Sequence, residues 1–391
     1  MKNLEQILQQ LKHKIEKKEH IKIMIIGLGS VGLYLLDYLI SQADPQWEII
    51  VVGRNENKMI KDVNIIKTSA TIRNMYQSKI HIEANCDLEN IEDIVSIISK
   101  HQPDFIINSS RVYSGLKYGS ISWHNLRAYG IWTPLSIRYA RNIMEGYELA
   151  NSHAITINTS YSDAVIPWLK SAGKAYFHFG SGNLNHLIPR IKFYIADKYN
   201  INNINDIDIT LATSHFHDVV ISKEGHTEGQ DILLDVQYKG NPINLNKEEI
   251  FKACMIDMPV DQKRNMMNAS SNFYIICSII NAIKDKKKIK IHSPGANGEI
   301  GGYPVIIDGT DTPKVYFDSS IFSMDEMREA NRKSIYLDGI ESVKDGCLTY
   351  TDELIGKLYN LGITTLSKTI SFERIEDISN FLITNIIQKT L

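Results

Sequence analysis

Leu4, Ile7, Leu8, Leu11 and Ile15 recur at three- and four-residue spacing, the period of an amphipathic helix. The pattern changes at Ile21. From there to Ile26 the chain is almost wholly apolar, as a parallel strand buried on both faces must be. A helical stripe follows through Leu33, Leu36, Leu39 and Ile40, and a second apolar run covers Glu48 to Val52. Further strands are expected at PDFIINSS (103–110) and HAITIN (153–158), with a mixed-face helix between them in 119–150. Beyond residue 160 the order is a short strand from Ala175 to Phe179, a glycine-rich turn, a long helix through LNHLIPRIKFYIADK, and the strand IDITLAT. The rest mixes strands and helices. DILLDVQYKG is a strand, a turn falls at Asn241-Pro242, and helices start at Lys247 and run from Ser270 to Lys284. Strands IKIH and YPVIID flank the glycine-rich loop 294–302, which is either a plain hairpin or a segment that approaches a ligand. Helices close the chain within 323–342, 348–362 and 371–391. The pattern predicts an α/β protein with a doubly wound parallel sheet in 1–160 and a second α+β domain in 161–391.

Composition narrows the class. At 391 residues two domains are the ordinary outcome. Hydrophobic residues make up 43% and charged residues 23%, as in soluble globular proteins. A net charge of -2 gives no bulk attraction to nucleic acid or to an anionic membrane, so neither is an expected partner. No apolar run nears the roughly 20 residues that span a bilayer, and the start has no signal-peptide core. The cysteines Cys86, Cys254, Cys277 and Cys347 are scattered without a CxxC pair, which points to a reduced cytoplasmic protein without structural zinc.

The chemistry begins at Gly27-Leu28-Gly29-Ser30-Val31-Gly32, between the first strand and its helix. Gly27 permits the tight turn, Gly29 lets a pyrophosphate approach the backbone, and Gly32 lets the helix pack on the strand. The helix start then offers free N–H groups, here from Ser30 and Val31, to the phosphates. In this context the motif marks a Rossmann dinucleotide site; the bland alternative is a tight turn without a ligand. The second strand ends in Gly53-Arg54-Asn55, without the acid that holds the ribose hydroxyls of NAD. Arg54 can hold a 2′-phosphate instead, so NADP(H) is the expected cofactor, unless Arg54 is merely a solvated surface residue.

GLGSVG, VVGRNENK and ANCDLENIEDIVSIISKHQPDFIINSS together resemble the nucleotide domain of saccharopine-dehydrogenase-like reductases and of extended short-chain dehydrogenases. The resemblance covers residues 20 to 112. It implies an adenine contact from Asp87, and it places Asn108, Ser109 and Ser110 on the nicotinamide side. YSGLK sets Tyr113 and Lys117 at the Tyr-x-x-x-Lys spacing, but directly after the fourth strand, earlier than the short-chain catalytic helix; a loop contact is the simpler reading.

Residues 153 to 225 resemble the second half of lactate and malate dehydrogenases: a strand, a turn, the helix after LNHLIPR, and a strand ending in a histidine motif. That likeness implies a proton-transferring histidine at His215, with His217 two residues on. The departures are specific. Asn185 stands where the family has the acid that orients the histidine, and Ile188 where it has a carboxylate-binding arginine. Arg190 remains at the following arginine position. On an alternating strand His215 and His217 would share a face. Three readings of the histidines stay open: proton donor to a carbonyl or imine, metal ligands, or a polar strand end. The expectation is an NADPH-dependent oxidoreductase acting on a small molecule and dimerising through its second domain. The alternatives are an NADP(H)-binding sensor or scaffold, and a cofactor-recycling synthase of the homospermidine-synthase type.

Overall fold

The computed structural model describes residues 3–244 and 246–390. For residues 116, 117, 120 and 390 the side chains lie outside the described residues, and with them the Lys117 side chain that YSGLK singled out.

Six parallel strands form one sheet: β1 (Ile21–Ile26), β2 (Trp47–Val52), β3 (Lys79–Glu83), β4 (Phe105–Asn108), β5 (Ile155–Asn158) and β6 (Phe179–Gly180). Their order is β3-β2-β1-β4-β5-β6, the Rossmann order. The apolar runs exist because both faces are covered. Along β1, Ile23 and Ile25 pack with the helices Leu4–Lys17, Ser30–Ile40 and Asn265–Lys284 on one side. Met24 and Ile26 pack with the helices Ile91–His101 and Thr133–Leu149 on the other. This is the doubly wound α/β arrangement.

The sheet continues past residue 160 through β6, and both faces are finished by C-terminal elements. The helix Asn265–Lys284 lies on one, and Ile375–Leu382 packs beside Thr133–Leu149 on the other. Among the described residues the remaining strands form three small antiparallel sheets. The strands expected around the glycine-rich loop are present as the antiparallel pair Lys288–Pro294 and Gly302–Asp308.

Two elements differ from expectation in ways that matter. The strand containing IDITLA stops at Ala212; Ser214 takes an extended conformation as an N-cap, and His215 begins a helix that runs to Glu224. His215 and His217 therefore lie on a helix, where neighbours on one face are three or four residues apart, not two. The helix expected from Ser270 starts at Asn265, one turn or more earlier, and this extra length reaches the sheet's carboxyl edge.

Candidate active site

The strand order reverses between β1 and β4, and open α/β sheets bind ligands outside the strand ends at such a point. A cleft of about 1060 Å³ lies there. It runs from Gly53, Arg54 and Asn55 past Gly27, Gly29, Ser30 and Val31 to His215 and Asp338. Gly27 has φ +96°, and a Cβ on it would lie 2.8 Å from the Ser110 backbone. A Cβ on Gly32 would lie 2.3 Å from the Gly27 carbonyl oxygen, so this glycine lets the helix sit against the turn. A Cβ on Gly29 would meet nothing within 4 Å. Open space above Gly29, beside the amides that begin the helix, is the cradle a pyrophosphate requires. The Ser30 hydroxyl accepts a 2.6 Å bond from Asn265 Nδ2, so the C-terminal half helps to shape this end.

Ser109 and Ser110 line the cleft; Asn108 is buried beneath them. Ser109 Oγ donates to the Gly27 carbonyl at 2.7 Å, and Ser110 Oγ donates to Asn108 Oδ1 at 2.6 Å. Asn108 Nδ2 in turn donates to Asn158 Oδ1, tying β4 to β5. Arg54 is exposed on the cleft wall, and Lys58 also lines it. Asn55 caps the helix Glu56–Ile72 by accepting from the Lys58 amide at 2.9 Å. Asp87 is exposed and does not line the cleft; its carboxylate accepts from the Glu89 amide, while Cys86 and Leu88 line the wall on either side.

At the other end stands a histidine–carboxylate pair. His215 Nδ1 lies 2.9 Å from Asp338 Oδ2. The same oxygen accepts from the Tyr161 hydroxyl at 2.7 Å, and Asp338 Oδ1 accepts from the Tyr129 amide at 2.7 Å. The His215 ring is flanked by Tyr129 and Tyr161, with ring centroids 4.6 and 5.3 Å away. Its backbone amide donates to Asp163 Oδ1, and Asp163 Oδ2 accepts from Asn183. Burial alone would pull the His215 pKa down, but Asp338, with Asp163 and Asp218 further off, outweighs it and holds the imidazole above its usual value. Arg111, on the loop after β4, lines the same cleft and bonds to the Tyr118 and Tyr129 hydroxyls.

The residues expected to assist His215 are placed elsewhere. Asn185 does not hold its ring; the Asn185 Nδ2 donors go to Ser271 Oγ and the His292 carbonyl, and Asp338 supplies the partner. Arg190 is buried behind the cleft wall, with its guanidinium on the Cys254 and Ile256 carbonyls and on Met258 Sδ. His217 points away from His215. It is buried between Ser334 Oγ and the Thr227 carbonyl, and burial pushes its pKa down to about 4. The loop 294–302 does not line the cleft but braces its rear, where the Gly301 amide bonds the Asp163 carbonyl and the Gly302 amide the Thr213 carbonyl. Among the described residues the one trio with metal-ligand spacing is Glu224, His226 and Glu228, and Arg127 bonds both glutamates.

Neither a family model nor a curated protein matches the chain. Solved structures do. The chain is similar to the malate dehydrogenase of Picrophilus torridus, with a TM-score of 0.54 and 16% identity over 81% of this chain and 94% of that one. It is similar to the lactate dehydrogenase of Cryptosporidium parvum complexed with lactic acid and nicotinamide adenine dinucleotide, at TM-score 0.53 and 15% identity over 82% and 97%. The malate dehydrogenase of Aeropyrum pernix gives 0.52 and 15% over 81% and 97%. At such identities the likeness is one of fold, and it extends far beyond the 153–225 stretch that sequence resemblance covered. The saccharopine-like resemblance of residues 20–112 rests on its motifs alone. What the chain shares with the lactate and malate dehydrogenases is therefore their α/β fold, with a cleft of its own at the switch point of the parallel sheet.

Proposed function

We propose that this chain is an NADP(H)-dependent oxidoreductase that reduces a carbonyl or imine carbon of a small metabolite, with His215 as proton donor. One observation carries the reading: a half-buried histidine held on a buried carboxylate shares a single cleft with the glycine turn. A bound nicotinamide would supply the hydride. Asp338 holds Nδ1, which leaves Nε2 to give a proton to the atom that gains charge, and Asp338 steadies the imidazolium before transfer. Arg111 offers positive charge to an anionic substituent in the same space. Holding a charged pair out of water costs free energy, which a site that merely stored the nucleotide has no reason to bear. Spectrophotometric oxidation of NADPH against a panel of carbonyl and imine compounds tests the reading. Cofactor that stays unconsumed while product forms would move it to the recycling class, and the absence of any turnover would favour the scaffold.

The choice of NADP over NAD rests on Arg54 just after β2 and Lys58 in the first turn of the helix that follows, where no acid lines the cleft. Arg54→Ala should weaken NADPH by about tenfold relative to NADH, roughly the lower end for a charge-assisted bond because Arg54 is exposed. An unchanged NADPH/NADH affinity ratio would remove Arg54 from the site.

The proton donor sets a pH dependence. Reduction needs the imidazolium, so turnover should be full below the raised pKa of His215 and fall as pH rises through it. Asp338→Asn removes the chief attraction on the charged form, lowers that pKa, and should move the alkaline limb of the kcat profile to lower pH. A limb that stays in place in the variant would assign it to another group.

A further inference from the structure

The cleft holds a second histidine–carboxylate couple that the proposed reaction does not use. Asp218 lies three residues after His215, so the two project from the same face of the helix His215–Glu224, one turn apart. Both line the cleft, as does His186. Asp218 is 4% exposed, and its Oδ2 lies 3.7 Å from His186 Nδ1. Its Oδ1 and His186 Nε2 are buried without a hydrogen-bond partner. A carboxylate has room for about four donors, and one distant imidazole leaves most of that capacity unused. Leaving such an oxygen unpaired is costly, so buried carboxylates without donors mark places where a ligand completes the set. Arg190 is near enough to feel the Asp218 charge, but its two Nη groups go to the Cys254 and Ile256 carbonyls and Met258 Sδ, and its buried Nε bonds neither Asp218 nor any other group.

We propose that Asp218 and His186 receive a protonated amino group of the substrate, so that the compound reduced at His215 is an amino carbonyl and its product an amino alcohol. This rests on the oxidoreductase reading above and names the substrate class for the same cleft. An ammonium brings positive charge and three donors, which match a buried carboxylate better than a neutral hydroxyl does. A substrate carboxylate at this place is disfavoured, because Asp218 and Asp338 both line this wall. The reacting oxygen belongs on His215 and the nitrogen on Asp218, one helical turn away, so amine and carbonyl are separated by only a few bonds.

The test is ligand-observed NMR titration of the wild-type chain saturated with NADP, using 1-amino-2-propanol, 4-amino-2-butanol, 1,2-propanediol and lactate as probes. At least one amino alcohol should bind about tenfold or more tightly than the diol and lactate, and Asp218→Asn should erase that preference, a loss of about 10–100-fold in Kd. His186→Gln should weaken it less. Equal binding of diol and amine by the wild type, or a preference for lactate, would overturn the assignment without reference to any variant. So would an amine preference that survives Asp218→Asn. The oxidoreductase reading fails separately: a chain that prefers the amine but never oxidises NADPH sinks that reading alone, and turnover without amine preference sinks this one alone.

Discussion

Gly29→Val is expected to lose NADPH affinity by about 10²–10⁴-fold while the chain remains folded. The size follows from displacing a pyrophosphate from two or so charge-assisted amide contacts, each worth roughly 1.5–3 kcal/mol. Retention of the fold follows from the local geometry. Gly29 has φ -87° and ψ -165°, which any residue adopts, and its Cβ direction meets no atom within 4 Å. The loss of a favourable N-cap should cost no more than about 1 kcal/mol. Gly32→Ala is the contrasting variant. Its Cβ would meet the Gly27 carbonyl at 2.3 Å, so helix or turn must move, at about 1–3 kcal/mol. Calorimetric titration with NADPH and thermal unfolding, run on both variants, separate a blocked ligand from a disturbed fold. Unaltered NADPH affinity in Gly29→Val would place the nucleotide elsewhere.

The nucleotide end was legible because its causes are local. An apolar run, three glycines at fixed spacing and a helical stripe sit within twenty residues, and each limits the backbone on its own. The doubly wound parallel sheet followed from the same alternation of elements, while β3, whose residues are only half-buried, gave no apolar run to mark it. The acid/base end was legible only in part. His215 was singled out by its place after a strand, but its register depended on Ser214, whose capping of a helix is hidden in a stretch that alternates like a strand. Once the helix starts at His215, Asp218 becomes its facing neighbour and His217 turns to Ser334. Asp338 carried no local signal at all. It follows a surface helix, 123 positions from His215, and its role comes from the packing of Met324–Leu337 beside His215–Glu224. Asn185 occupies the matching position in the chain, but its amide nitrogen braces Ser271 and the His292 carbonyl, a contact between segments that no spacing could reveal.

His215→Asn should lower kcat by about 10²–10⁴-fold with NADPH affinity unchanged, the usual loss on removing a general acid. Asparagine keeps a polar side chain facing Asp338 but has no group that titrates, so proton donation is removed with little change in shape. Because His215 meets the nucleotide turn only across the cleft, the loss should fall on the chemical step. His217→Asn provides the internal control. That ring is buried, lies outside the cleft and bridges Ser334 to Thr227, so its replacement should lower thermal stability and leave the rate per folded molecule close to wild type. Asp338→Asn should fall between the two in rate, since the donor remains but loses the carboxylate that holds its tautomer and charge. Steady-state kinetics at a pH below the wild-type limb, paired with NADPH titration of each variant, distinguish these outcomes. A normal kcat in His215→Asn would hand the proton to another group on the cleft, and Tyr161, which shares Asp338 with His215 through its 2.7 Å bond, would be the next to replace.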